Sequence, residues 1–275
     1  MSVSRVLFGT ALVAVMGGLS GCQVDVSAKT KTRFVEPNVV RGDEAGTPDW
    51  AGQPIKIDIA GVGFAQNGGV RVTADPNATK VRAVARMLAM AFDEEKANAD
   101  QSIVEAKSTF TVTSSASGVT VACGHGQSHG SSAAGESGCE LVEITIPVGS
   151  LDSPLLLEVL GGNGDMTVQL RSAVLKNFGL NNNGSGDTSV EIPASLGANV
   201  SLVSEKSGDI AVTLPQGWSA DEVILQADED KIENPFTDAK LGVGAGGRGT
   251  PGAGLASLKV TSKSFAGSTG TITLR

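Results

Sequence analysis

The sequence has no tyrosine, only two tryptophans and two histidines among 275 residues, and aromatic side chains make up 4% of it. So few rings, set against 36 glycines, describe a chain of many turns and small side chains, which suits stacked short strands better than helices. The shortage of histidine removes a protease built on Cys123. Positive charge is also short: 21 Lys and Arg face 29 Asp and Glu, for a net charge of −8 and a pI near 4.8. A nucleic-acid partner held by phosphate neutralisation is therefore excluded, and tight binding to anionic lipid heads is disfavoured. No apolar run reaches the span of about 20 residues that a transmembrane helix needs.

What is present begins at the amino terminus. Arg5 precedes an apolar stretch from Val6 to Met16, and the small-residue run Gly17 to Gly21 follows. This is the anatomy of a cleaved signal peptide, expected over residues 1–21. The tetrad Leu19-Ser20-Gly21-Cys22 resembles the lipobox of bacterial lipoproteins. That resemblance implies a diacylated Cys22 as the new first residue, and paired acyl chains hold a membrane where one is marginal. Gln23 resembles the outer-membrane sorting pattern, which implies the periplasmic or surface face of the outer membrane. Residues 22–50 show little periodicity and carry Pro37, Gly42, Gly46 and Pro48, so a flexible tether is expected there.

One elongated domain is expected over 51–275. Its first part, 51–154, alternates as strands do in Ile55-Lys56-Ile57-Asp58-Ile59, Val70-Arg71-Val72, Lys80 to Arg86, Phe110 to Val112, Val119 to Val121 and Leu141 to Ile146. Between Asp93 and Lys107 the pattern becomes helical, with Asp93 as candidate cap and Glu94 and Glu95 favouring the amino-terminal end.

The second part, 155–275, repeats itself. Gly164-Asp165-Met166-Thr167-Val168-Gln169-Leu170 aligns without a gap with Gly186-Asp187-Thr188-Ser189-Val190-Glu191-Ile192 and with Gly208-Asp209-Ile210-Ala211-Val212-Thr213-Leu214, 22 positions apart. Leu180, Leu202 and Ile224 fall at the same period, and Pro193 and Pro215 mark one corner twice. A fixed period with turn and strand chemistry predicts an all-β solenoid of single-stranded, β-helix-like coils of about 22 residues. Glycine would take the positive-φ corner, and alternating valine and leucine would fill the coil. A fourth copy is blurred by the glycine-rich insertion Leu241 to Gly254 and returns at Leu258-Lys259-Val260 and Gly270 to Leu274.

The tetrad Ser207-Gly208-Asp209-Ile210, followed by alternating strand residues and a closing strand like Gly270 to Leu274, resembles bacterial adhesin-like β-solenoid domains of unknown function. The resemblance covers about residues 51–275 and is strongest after Leu155. It implies the solenoid fold and a surface role without naming a ligand.

Both histidines, and both cysteines beyond Cys22, lie between Cys123 and Cys139, with His125 and His129 inside. Export permits a disulfide that closes this glycine-rich connection. A zinc or copper site of two thiolates and two imidazoles, and free thiols, are the alternatives. Gly126-Gln127-Ser128-His129-Gly130 matches a nucleophile elbow, but no histidine follows the serine and the next residues are weak helix formers.

Stacked coils would align Asp165, Asp187 and Asp209 about 5 Å apart. Their mutual repulsion must be offset by turn amides and water, or by an ion between coils. No catalytic constellation, cofactor or resident metal is expected. The chain reads as a non-enzymatic, membrane-anchored envelope module that meets a polysaccharide or a surface protein. A purely structural lipoprotein, or a glycan-active enzyme using carboxylates, are the alternatives.

Overall fold

The computed structural model describes residues 30–44, 47–59, 69–133, 135–194, 197–206, 208–216, 218, 220–233, 246–247, 254–264, 267 and 269–275. The expected signal peptide, Cys22 and most of the 241–254 insertion lie outside these residues. The strands, in chain order, are β1 (Thr32–Arg41), β2 (Ile55–Ile59), β3 (Gly69–Ala74), β4 (Arg82–Ala91), β5 (Thr111–Ser115), β6 (Gly118–Cys123) and β7 (Ser137–Ile146). They continue as β8 (Leu155–Gly161), β9 (Met166–Gln169), β10 (Leu175–Asn182), β11 (Thr188–Glu191), β12 (Asn199–Ser204) and β13 (Ile210–Thr213). The last are β14 (Ala220–Gln226), β15 (Ile232–Glu233), β16 (Gly246–Gly247), β17 (Leu255–Ser262) and β18 (Ile272–Leu274). One α-helix, α1 (Lys96–Thr109), stands among the described residues and is too short and polar to cross a membrane. The protein is therefore all-β with a single helical insertion.

The strands form two nine-stranded sheets, neither of which closes on itself. Sheet A runs β1-β4-β7-β3-β9-β11-β13-β18-β15, and sheet B runs β16-β14-β17-β12-β10-β8-β2-β6-β5. From β7 to β15 in sheet A, and from β14 to β6 in sheet B, neighbouring strands are parallel. Antiparallel β1, β4 and β5 lie at one end, and β16 at the other. Each 22-residue unit thus gives two short strands, one per sheet, rather than the single strand per coil that the period suggested.

Alternation decides which side chains are inside. In β2, Ile55, Ile57 and Ile59 are buried while Lys56 and Asp58 are exposed. Register partners then stack: Ile144, Val72, Val168, Val190, Val212 and Leu274 line one interior row of sheet A. In sheet B the row is Val121, Ile57, Val159, Leu180, Leu202, Val260 and Leu225. Both rows belong to one buried cluster. Each such side chain stabilises the fold by about 1.5–3 kcal/mol on burial. Ile224, expected beside Leu202, is half-buried and pairs with Lys259; β17 lies between β12 and β14, and a one-residue shift turns Leu225 inward instead.

The spatial order departs from the chain order at both ends. The blurred fourth copy, β17 and β18, sits directly on β12 and β13, with Leu258 beside Val200 and Ile272 beside Ile210. Strands β14 and β15, which come earlier in sequence, lie beyond it. At the other end β2 and β3 neighbour β8 and β9, and β6 and β7 lie outside them.

Helix α1 covers the stack at its β1, β4 and β5 end, touching β4, β7 and β1 of sheet A and β6 of sheet B. Ala99, Ser102, Ile103 and Ala106 form its buried face, at the spacing of one helical stripe. Asp93 does not cap it. A single 3-10 turn, Asp93–Glu95, precedes the helix behind Phe92, and the Asp93 carboxylate instead accepts a hydrogen bond from Thr32. Residues 32–41, expected within the tether, are strand β1 paired with β4, because its backbone completes the edge of sheet A. Its Arg41 donates to the Phe110 and Lys107 carbonyls, and Glu36 pairs with Lys107 of α1.

Candidate functional site

The repeat glycines are not positive-φ corners; none of Gly164, Gly186 and Gly208 has that conformation. They are small because successive repeat units touch. A Cβ on Gly186 would lie 2.3 Å from the carbonyl carbon and oxygen of Gly164, and one on Gly208 would lie 2.3 Å from the Gly186 oxygen. That contact sets the exposed aspartates one above another. Asp165 Oδ1 accepts from the Asp187 amide at 2.9 Å, Asp187 Oδ1 from the Asp209 amide at 3.1 Å, and Asp209 Oδ1 from the Thr271 amide at 2.7 Å. Each carboxylate thus accepts a backbone amide from the next unit, which offsets part of the ladder's repulsion. No group of three or more metal-ligating side chains occurs among the described residues.

Inside the same corner runs a second ladder that the hydrophobic pattern hid. Asn182, Ser204 and Ser262 are register partners at inward positions and are buried. Asn182 Nδ2 donates to the Gly186 carbonyl at 2.8 Å, and its Oδ1 accepts from the Gly184 amide at 3.0 Å. Ser204 Oγ accepts from Gly208 at 3.2 Å, and Ser262 Oγ from Gly270 at 2.9 Å. These side chains satisfy turn amides that the core would otherwise strand. The cue was the polar pair Asn182 and Ser204 at the repeat period.

Cys123, at the end of β6, and Cys139, in β7, form a disulfide with Cα atoms 6.3 Å apart. It ties sheet B to sheet A at the α1 end. Both thiols are consumed, so the two-thiolate metal site is set aside. His125 is exposed, and half-buried His129 turns to the helix, where Nε2 donates to Glu105 at 2.8 Å. The Gln127 amide donates to the same carboxylate at 3.2 Å. Glu95 likewise receives the Ser131 amide at 2.9 Å and its hydroxyl. The bond from His129 holds the Glu105 carboxyl below the usual glutamate range, and those from Ser131 do the same for Glu95. Gly130 and Ser131 form a tight turn closed by paired His129 and Ser132, where a nucleophile elbow would need a helix to begin. No sequence signal pointed to Glu95 and Glu105 as the clamps of this loop.

The outer faces of the stacks are polar and laterally bonded. On sheet B, Asn199 Nδ2 donates to Asn177 at 3.2 Å, Ser257 to Asn199 at 2.9 Å, and Thr261 to Gln226 at 3.1 Å. Lys263 pairs with Glu205 at 2.7 Å. On sheet A, Arg71 pairs with Glu143 and Arg171 with Glu191, each at 2.6 Å. A seven-strand parallel face with this spacing is about 30 Å across. It offers many fixed donors and acceptors.

No protein-family model matches the chain, and no curated protein matches it. Among solved structures, it is similar to a putative cell adhesion protein from Clostridium sporogenes. The identity is 10% and the TM-score 0.49, over 89% of this chain and 98% of that one.

Proposed function

We propose that this is an exported, lipid-anchored envelope protein whose stacked coils form a two-sheet β-solenoid, and that it binds through its flat polar faces without catalysis. One observation carries the reading. Parallel, in-register strands place outward polar side chains in rows, and hydrogen bonds between coils hold those rows before any ligand arrives. Such pre-organisation lowers the entropic cost of binding, so many weak contacts can add on an extended surface. The partner is an envelope polysaccharide or another surface protein, and the acidic chain leaves nucleic acid out.

Anchoring rests on Leu19 to Cys22 and gains a length limit from the fold. Cys22 and Thr32 are ten positions apart, a reach of about 35 Å at most. A lipidated protein would therefore hold its α1 end within that reach of the membrane surface. Cys22→Ala should leave an unprocessed or soluble form, and a mature-sized variant still in the membrane would remove the anchor from the proposal. For binding, the purified protein is incubated with isolated cell-envelope fractions, following both retention and release of soluble fragments. Retention without product is expected. Released product would show an enzyme, and failure of both would leave a purely structural lipoprotein.

A further inference from the structure

We propose that a groove at the α1 end of sheet A is a site for a neutral, hydroxyl-rich glycan; this rests on the binding reading above and names its ligand class. The groove encloses about 380 Å³ and lies over β3, β7 and β4, with the turn at Asp75 and Pro76 as a wall. That volume falls within the range of about 300–1,000 Å³ common for small-ligand sites.

Register dictates its floor. Arg82, Thr145 and Thr73 are cross-strand neighbours in one row, and Val84, Glu143 and Arg71 in the next. Arg71 Nη1 donates to Glu143 Oε1 at 2.6 Å, and Arg82 Nε to Asp43 Oδ2 at 3.0 Å. Asp75 Oδ1 accepts from the Asn77 amide at 2.8 Å within its own turn. Each of these bonds uses one atom of a group that has several. The remaining guanidinium N–H groups, the second carboxylate oxygens and the threonine hydroxyls supply donors and acceptors together.

A sugar hydroxyl is both donor and acceptor, and adjacent hydroxyls can bridge a guanidinium and a carboxylate. The Arg71–Glu143 pair is half exposed, at 52% and 50%, so water already weakens it and a ligand can share its atoms at small cost. Pro76 and Val84 give the C–H face of a ring an apolar contact. The charges of Arg71 and Arg82 are offset by their partners Glu143 and Asp43, Asp75 adds a further carboxylate to the groove, and the whole chain carries −8. An anionic polymer therefore gains nothing locally and is repelled at long range.

The test uses the full chain, solubilised in detergent, on immobilised mannan, dextran and polygalacturonate at low and high salt. Retention on a neutral glycan, indifferent to salt, is expected. Thr145→Val and Arg82→Gln should each weaken it about tenfold, the loss of one hydrogen bond to a charged or polar group. Thr145→Ser, which keeps the hydroxyl, should bind as the parent does, and unchanged melting temperatures would show that the fold is intact. Retention only on polygalacturonate, or equal binding by all variants, would overturn the site. Retention on envelope fractions with none on either neutral glycan would also overturn it, while leaving the broader binding reading in place.

Discussion

Gly186 shows how a single residue can be read correctly in place and wrongly in cause. Its period marked it as a corner, yet its backbone needs no positive φ; the neighbouring coil lies where a Cβ would go, 2.3 Å from the Gly164 carbonyl. Periodicity in one dimension carries no sign of an approach between coils. Gly186→Ala should therefore cost about 3 kcal/mol, the upper range for overpacking, seen as a lower denaturant midpoint. Asn182 escaped for a related reason: hydropathy ranks it outside, while its amide is needed inside. Glu95 and Glu105 yield a pH expectation. Their folded pKa values lie below the ordinary one, so their hold on the loop is full above about pH 4.3 and is lost as pH falls through the folded values. Amide shifts of Gln127 and Ser131, which donate to these carboxylates, should move together in that acid range. Constancy through the titration would contradict the clamp.

At the scale of the element, alternation made most strands legible, because each has one face in the core and one in water. Strand β1 was not, since Pro37 and its scattered charges resemble a linker until β4 supplies its partner at the edge of the sheet. The order of β14 and β17 was hidden as well: a repeat shows which strands are equivalent, but nothing local says which of two later segments docks first. The interior rows give the direct prediction. Val190 is 1% exposed between Val168 and Val212. Val190→Lys should destabilise by about 3–5 kcal/mol, the cost of a buried charge without a partner. Stability that is indifferent to the change would mean that β11 does not face the core.

For the whole molecule, the proposed binding depends on the strands keeping one register, because only then do outward side chains form rows instead of scattered groups. The all-β class and the 22-residue unit were visible in the sequence. The two-sheet arrangement was not, nor was the groove formed by Arg71, Arg82, Glu143 and the threonines, which come from segments far apart in the chain. Cross-linking measures the register directly. Ser189 and Ala211 are parallel register partners on the outer face of sheet A. Cysteines placed at both should join on mild oxidation, since neighbouring strands hold Cα atoms within the roughly 4.4–6.8 Å that a disulfide accepts. Peptide mapping should recover the two segments as one mass, while cysteines at Ser189 and Val212, which face opposite sides, should stay apart. Failure of the first pair to join, or equal joining of the second, would contradict the register on which the account depends.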